Sequence, residues 1–188
     1  MIKNDRSRFH AYNIILAYES SGRQLKSVRN DYFNTNNLSS SERSRSMALS
    51  NEVVRWKRTL DNWIARSLKK PIKKLPLKVL CILRLGYYEY VMDSFVPAHA
   101  AVDSWVELSK KLKNKKISGL VNAILRKADS IDKHSLDNRE NIGFQFSFQD
   151  WMVKSWIKKY GRSKAIELCR YLNHTHEVDL RVNKLSPD

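Results

Sequence analysis

Glycine and cysteine are both scarce, with five and two in 188 residues. The tight turn that cradles a cofactor phosphate between a strand and a helix depends on glycine. Neither GxGxxG nor GxxxxGKS/T occurs, and HExxH and GxSxG are missing too. Cys81 and Cys169 have no CxxC or HxxxH companion, which excludes a disulfide framework and a cysteine metal site of ordinary spacing. The chain also lacks any run of about 18 uncharged apolar residues, and its start, MIKNDRSRFHAY, holds no apolar core for a signal peptide. A soluble, reducing, cytoplasmic setting without a membrane partner is expected.

Carboxylates are the third shortage: 19 Asp and Glu face 35 Lys and Arg, for a net charge of +16. Such a surplus fits a polyanion partner, an anionic membrane surface or simple solubility. Its distribution favours the polyanion. Residues 1–127 hold 25 cations and 10 carboxylates, residues 128–150 hold 2 and 5, and residues 151–188 hold 8 and 4. Five lysines fall in the seven residues from Lys110 to Lys116, and Lys69, Lys70, Lys73, Lys74 and Lys78 form a second group. Flexible cations of this kind neutralise phosphates, although a solvated face reads the same way. A hydrophobic fraction of 42% is too high for a disordered chain and supplies a core for one domain, or one domain and part of another.

What is present is nearly all helical in pattern. Ala11, Ile14, Ile15 and Tyr18 share one face of a first helix that Gly22 stops, and residues 23–38 form a weaker helix and loop. Ser39 and Glu42 match a capping box. Behind them Leu49, Val53, Trp56, Leu60, Trp63 and Ile64 keep one stripe, predicting a single long helix to about residue 68. Pro71 and Pro76 punctuate a basic connector. Residues 77–92 are apolar almost all round, as in a central core helix, and Cys81 inside them reads as a packing residue. Pro97 opens a helix with Ala98, Ala101, Val102, Trp105, Leu108 and Leu112 inward, and residues 117–128 form another around Leu120, Val121, Ile124 and Leu125. Residues 129–146 are acidic and weakly periodic, the signature of a linker. Ser147 and Asp150 suggest a second capping box before a helix ending at Gly161, a further helix spans residues 163–172, and residues 179–183 alternate like a strand. The five histidines are scattered, and no metal ligand set is expected.

Several phrases in order resemble a known family: Leu83-Arg-Leu-Gly-Tyr-Tyr-Glu89, Val96-Pro-Ala-His-Ala-Ala-Val102, Val106-Glu-Leu108 and Gly119-Leu-Val-Asn-Ala-Ile-Leu-Arg126. They resemble the NusB-like helical domain, in the version that precedes the catalytic domain of the RsmB (Sun/Fmu) ribosomal RNA cytosine-5 methyltransferases. Ser147-Phe-Gln-Asp-Trp151 through Tyr160-Gly161 to Leu180-Arg-Val-Asn183 continues the likeness, whereas a free-standing NusB antitermination factor would end earlier. Gln149 stands in place of a usual proline, and Val102-Asp-Ser-Trp105 in place of Val-Asn-Glu-Ala.

The resemblance implies an all-α, NusB-like helical bundle followed by a short helical segment and one strand that begins a second, incomplete domain. The expected divisions are a bundle at residues 1–128, an acidic linker at 129–146, and the start of a methyltransferase-associated domain at 147–188. It further implies a fragment of an S-adenosylmethionine-dependent methyltransferase, inactive alone. Its cofactor site and its proline-preceded nucleophilic cysteine lie in the absent part, because Cys81 and Cys169 each follow a leucine. No catalytic, cofactor or metal residue is expected in this chain. The bundle would hold structured RNA, of the small ribosomal subunit in that family, through Lys3, Arg6, Arg8, Lys57, Arg58, Lys110, Lys111, Lys113, Lys115 and Lys116. Phe9 or Tyr12 would stack on a base if not packed in the core. Two other readings stay open: a stand-alone antitermination-like factor that binds RNA and a protein partner, and a helical interaction module with no nucleic-acid role.

Overall fold

Each apolar stripe finds the neighbour that buries it. The computed structural model describes residues 3–93, 96–112, 115–130 and 141–174, and among these every regular element is helical. Helix α1 (Lys3–Ser21) turns Ala11, Tyr12, Ile14 and Ile15 inward and stops before Gly22, whose φ of 66° a side chain would resist. The polar stretch after it forms α2 (Leu25–Thr35), with Val28 buried. The predicted capping box opens α3 (Ser40–Arg55): Ser39 Oγ accepts from the Glu42 amide at 3.3 Å, and Glu42 Oε2 accepts from the Ser39 amide at 2.8 Å.

The expected single helix to residue 68 is two. At Trp56 the backbone moves to φ −93° and ψ 9°, which ends α3 and begins α4 (Lys57–Ser67). The Trp56 amide still bonds Glu52 O and the Leu60 amide still bonds Trp56 O, both at 2.9 Å, so helical periodicity runs through the break unmarked. A 3-10 turn at Ile72–Lys74 lies between Pro71 and Pro76. Pro76 and Pro97 are the capping residues of the helices that follow them, each extended with ψ 137°.

Helix α5 (Leu77–Val91) is the central element, packed on α1, α3, α4, α6 (Ala98–Lys110) and α7 (Lys115–Arg126). Its buried residues cover nearly every direction, as its composition predicts, and they include Cys81. Gly86 permits the close approach of α7, since a Cβ there would sit 2.7 Å from the Leu125 side chain. Helix α5 itself carries two charges into this core, Arg84 and Glu89. Arg84 forks onto Asp61 at 2.7 and 2.8 Å, and the fully buried Glu89 accepts from Arg8, Arg45 and Trp105. Buried charges persist only when paired in this way.

A 3-10 turn at Lys127–Ser130 ends the bundle. Within the stretch read as a linker, α8 (Ile142–Phe146) is a short helix packed on α4, and it is followed by α9 (Asp150–Tyr160) and α10 (Arg162–Asn173). Ile142, Phe146, Val153 and Cys169 make a second core, against which Phe148, Trp156, Ile157 and Ile166 pack. The capping box expected at Ser147 does not form. Ser147 closes α8 in the left-handed region at φ 62°, its Oγ accepts from the Arg58 amide at 3.1 Å, and the Asp150 carboxylate that the box would use is bonded to Arg58. The strand expected at residues 179–183 lies outside the described residues.

Candidate nucleic-acid interface

The first turns of α1 and the end of α6 meet at the surface. Arg6 and Phe9 lie one helical turn apart on α1, while Lys110 and Lys111 end α6. The Lys111 ammonium sits 5.1 Å from the centre of the Phe9 ring, and Phe9 is 36% exposed. Cation and ring attract at this separation and present one charged, flat surface to solvent. Arg6 is more than half exposed and reaches Glu42 at 3.2 Å, Lys110 pairs with Glu107 at 2.6 Å, and Lys116 is exposed at the start of α7. The Lys110–Glu107 pair is exposed on both sides and therefore weak, so Lys110 yields to a phosphate more readily than Arg6, whose partner Glu42 is buried.

The structure separates the other candidates from this face. Arg8 points the opposite way from Arg6 on α1, is buried, and donates from Nε to Glu89 at 2.6 Å, so it is a core residue and no surface contact. Tyr12 is likewise buried, and burial pushes its hydroxyl up to about 12. Of the two aromatics considered for stacking, only Phe9 reaches solvent. Lys57 pairs with Glu19 at 2.8 Å. Arg58 bonds the Phe148 carbonyl and Asp150 and covers the Phe144 ring, which makes it a clamp between α4 and the segment leading into α9. Lys113 and the side chains of Lys3 and Lys115 lie outside the described residues.

A cleft of about 680 Å³ beside Lys57 and Arg58 is lined by Arg55, Asn62, Phe144 and Ser147 among others. Each of its cations already faces a carboxylate, with Arg55 on Glu52 at 3.1 Å, Lys57 on Glu19 and Arg58 on Asp150, so its field is largely neutralised. Cations held 92 residues apart in sequence from their partner, as Arg58 is from Asp150, carry no local signal of their role. Arg8 did carry one: Ala11, Tyr12 and Ile15 follow it at three, four and seven residues, on the buried face.

The fold and this surface define an all-helical bundle with a basic face that carries an exposed aromatic ring. The chain belongs to the NusB family, whose model matches residues 5–130. It is 37% identical over 137 residues to the probable ribosomal RNA small subunit methyltransferase B of Synechocystis sp., covering 71% of this chain and 31% of that protein. It is 30% identical over 168 residues to the protein of the same description in Bacillus subtilis, covering 87% of this chain and 36% of that one. The chain thus spans about a third of the length of these curated relatives. Among solved structures, that of antitermination factors NusB and NusE in complex with dsRNA contains a chain of the same fold, with TM-score 0.63 and 20% identity over 69% of this chain and 98% of that chain.

Proposed function

We propose that this chain is the RNA-holding helical region of a small-subunit ribosomal RNA methyltransferase of the RsmB type, and that Arg6, Phe9, Lys110, Lys111 and Lys116 form its RNA contact. The carrying observation is the Lys111 ammonium over the exposed Phe9 ring, which joins a phosphate-binding charge to a base-stacking surface. Lys3, Lys113 and Lys115 extend the same proposal along α1 and the lysine run. The methyltransferase reading rests on the long relatives. The Bacillus subtilis alignment is longer than the NusB match and takes in residues beyond it. In this reading residues 1–128 are the RNA module and residues 147–188 begin the unit that connects it to the catalytic part, in a cytoplasmic enzyme modifying cytosine.

S-adenosylmethionine, the cofactor such an enzyme uses, does not fit the described residues. Gly86 packs on Leu125 and Trp105 within α5, Gly143 on Arg58 and Phe148, and Gly22 and Gly161 end helices, so none of these forms the glycine-rich strand-to-helix turn of a Rossmann-like cofactor site.

Titration of the chain against small-subunit ribosomal RNA fragments at several salt concentrations tests the reading. Lys110→Ala with Lys111→Ala should weaken binding and flatten the salt dependence by about one unit of slope per lysine. An unchanged slope would defeat the assignment of this face.

A further inference from the structure

The most exposed large apolar side chains are not on the bundle. Among the described residues the bundle's Phe9, Met47 and Leu120 are 36–40% exposed, whereas Trp151 on α9 is 70% and Tyr171 on α10 is 63% exposed. The inner face of α9 is already satisfied: Val153, Trp156 and Ile157 pack into the second core, where the Phe148 and Trp156 rings meet edge to face at 5.2 Å. Its outer face carries Trp151, Lys154 and Lys158, three and seven residues on, in one exposed stripe about 10 Å long. Helix α10 adds exposed Lys164, Arg170 and Tyr171. Gly161 alone joins the two helices, and Asn173 Nδ2 donates to Phe146 O at 2.9 Å, which returns the end of α10, with Tyr171, to the end of the hairpin where Trp151 stands.

We propose that this outer face of the α9–α10 hairpin is a second surface for single-stranded RNA, distinct from the α1–α6 face and beyond the NusB match. A flat indole with lysines before and behind it offers what a single strand requires: a sequence-tolerant stacking platform for a base, and cations for the phosphates on either side. Charge complementarity selects RNA over a protein partner. Residues 150–173 hold six lysines and arginines against two carboxylates, Asp150 and Glu167, and Asp150 is committed to Arg58. The buried centres of protein interfaces are depleted in lysine, whereas Trp151 is accompanied by two on its own stripe. The surface needs nothing from the bundle face, so the two stand or fall separately.

The test uses the full 188-residue chain and a labelled 12-nucleotide oligouridine, with anisotropy followed at several salt concentrations and tryptophan fluorescence read in parallel. Trp151→Ala should weaken binding about tenfold, and Lys154→Ala with Lys158→Ala should weaken it and flatten its salt dependence. Circular dichroism should be unchanged, because these residues face solvent. RNA should quench the fluorescence of the wild type, and Trp151→Phe should remove that quenching while largely keeping affinity, since a phenyl ring also stacks. Loss of binding in the hairpin variants with normal binding by the Lys110→Ala, Lys111→Ala variant would support this surface, while the bundle face is judged by its own titration with ribosomal RNA fragments. Wild-type affinity and undiminished quenching in every hairpin variant would overturn the proposal, whatever the bundle variant does, and would leave the face to a protein partner.

Discussion

Arg58 donates from Nη2 to Asp150 Oδ1 at 2.7 Å while its guanidinium carbon lies 4.2 Å from the centre of the Phe144 ring, so a residue of α4 grips both ends of the segment that leads into the hairpin. Its own backbone amide bonds Ser147 Oγ, and Gly143 leaves the room: a Cβ there would stand 2.7 Å from both the Arg58 side chain and the Phe148 carbonyl. Arg58→Ala should release the hairpin without unfolding the bundle, which has its own larger core. Hydrogen exchange of the α9 amides should speed up at least about tenfold while that of α5 stays unchanged. Arg58→Lys should behave nearly as badly, because a lysine keeps the charge and loses the fork.

That clamp is invisible in the sequence around Arg58, whose partners lie about 90 residues further on. The core helix, the Ser39 capping box and the Gly22 and Gly161 stops were legible because each is written in neighbouring residues. The break at Trp56 was not, since the hydrogen-bond ladder continues across it, and α8 was not, since five residues are too short to show a period. Among the candidate contacts, Arg8 stood on the buried stripe from the start, and Glu89 inside an apolar helix already required a cation. The partners of Arg58 come from another helix far along the chain and leave no trace beside it.

Phe9 and Tyr12, three residues apart on α1, should fail differently. Phe9→Ala is expected to cost about 1 kcal/mol or less of stability and to weaken RNA binding about tenfold. Tyr12→Ala removes a ring from the main core and should cost about 3–5 kcal/mol, with RNA affinity changing only as the folded fraction does. Urea unfolding and RNA titration of the same two proteins separate the roles.

Both cysteines should be silent in the native chain. Cys81 and Cys169 are fully buried, and burial pushes their thiols up to about 12 and about 11. A thiol reagent at pH 8 should label neither until denaturant is added, and both should then react together. Rapid native labelling of Cys169 alone would show that the second core opens independently.

Acid should weaken the fold in two stages. His10 is buried beside the Tyr32 hydroxyl, 2.9 Å from Nδ1, and its Nε2 has no hydrogen-bond partner among the described residues. Burial, with Arg6 against and Glu42 in favour of the charge, holds its pKa below the usual 6.5. The unfolded chain therefore binds this proton first, so stability is complete above pH 6.5 and declines as pH falls towards the folded value. The second stage belongs to carboxylates. Hydrogen bonds from Arg58 and Asn141 hold Asp150 below 3.8, and hydrogen bonds from Ser39 hold Glu42 below 4.5. Their contribution is present above those ordinary values and is lost as pH falls through the lowered ones. Chemical unfolding from pH 8 to 3 should show both stages, and His10→Gln should remove the first.

Glu89 should be the most sensitive single position in the bundle. Its carboxylate is fully buried and accepts from Arg8 Nε at 2.6 Å, Arg45 Nη2 at 2.7 Å and Trp105 Nε1 at 2.8 Å, which ties α1, α3 and α6 to α5 through one side chain. Arg45 continues the network to Asp93. Glu89→Ala leaves the Arg8 guanidinium buried without its carboxylate and opens a cavity, and urea unfolding should register a loss of about 3–5 kcal/mol. Glu89→Gln keeps an acceptor for Trp105 but removes the charge that both arginines face, and it should lose less than alanine but remain clearly destabilised. Replacing the pair, Arg8→Met with Glu89→Met, should recover part of the loss, because two apolar chains of similar length carry no desolvation cost. If the double variant were less stable than the sum of the singles, the network would contribute more than charge balance.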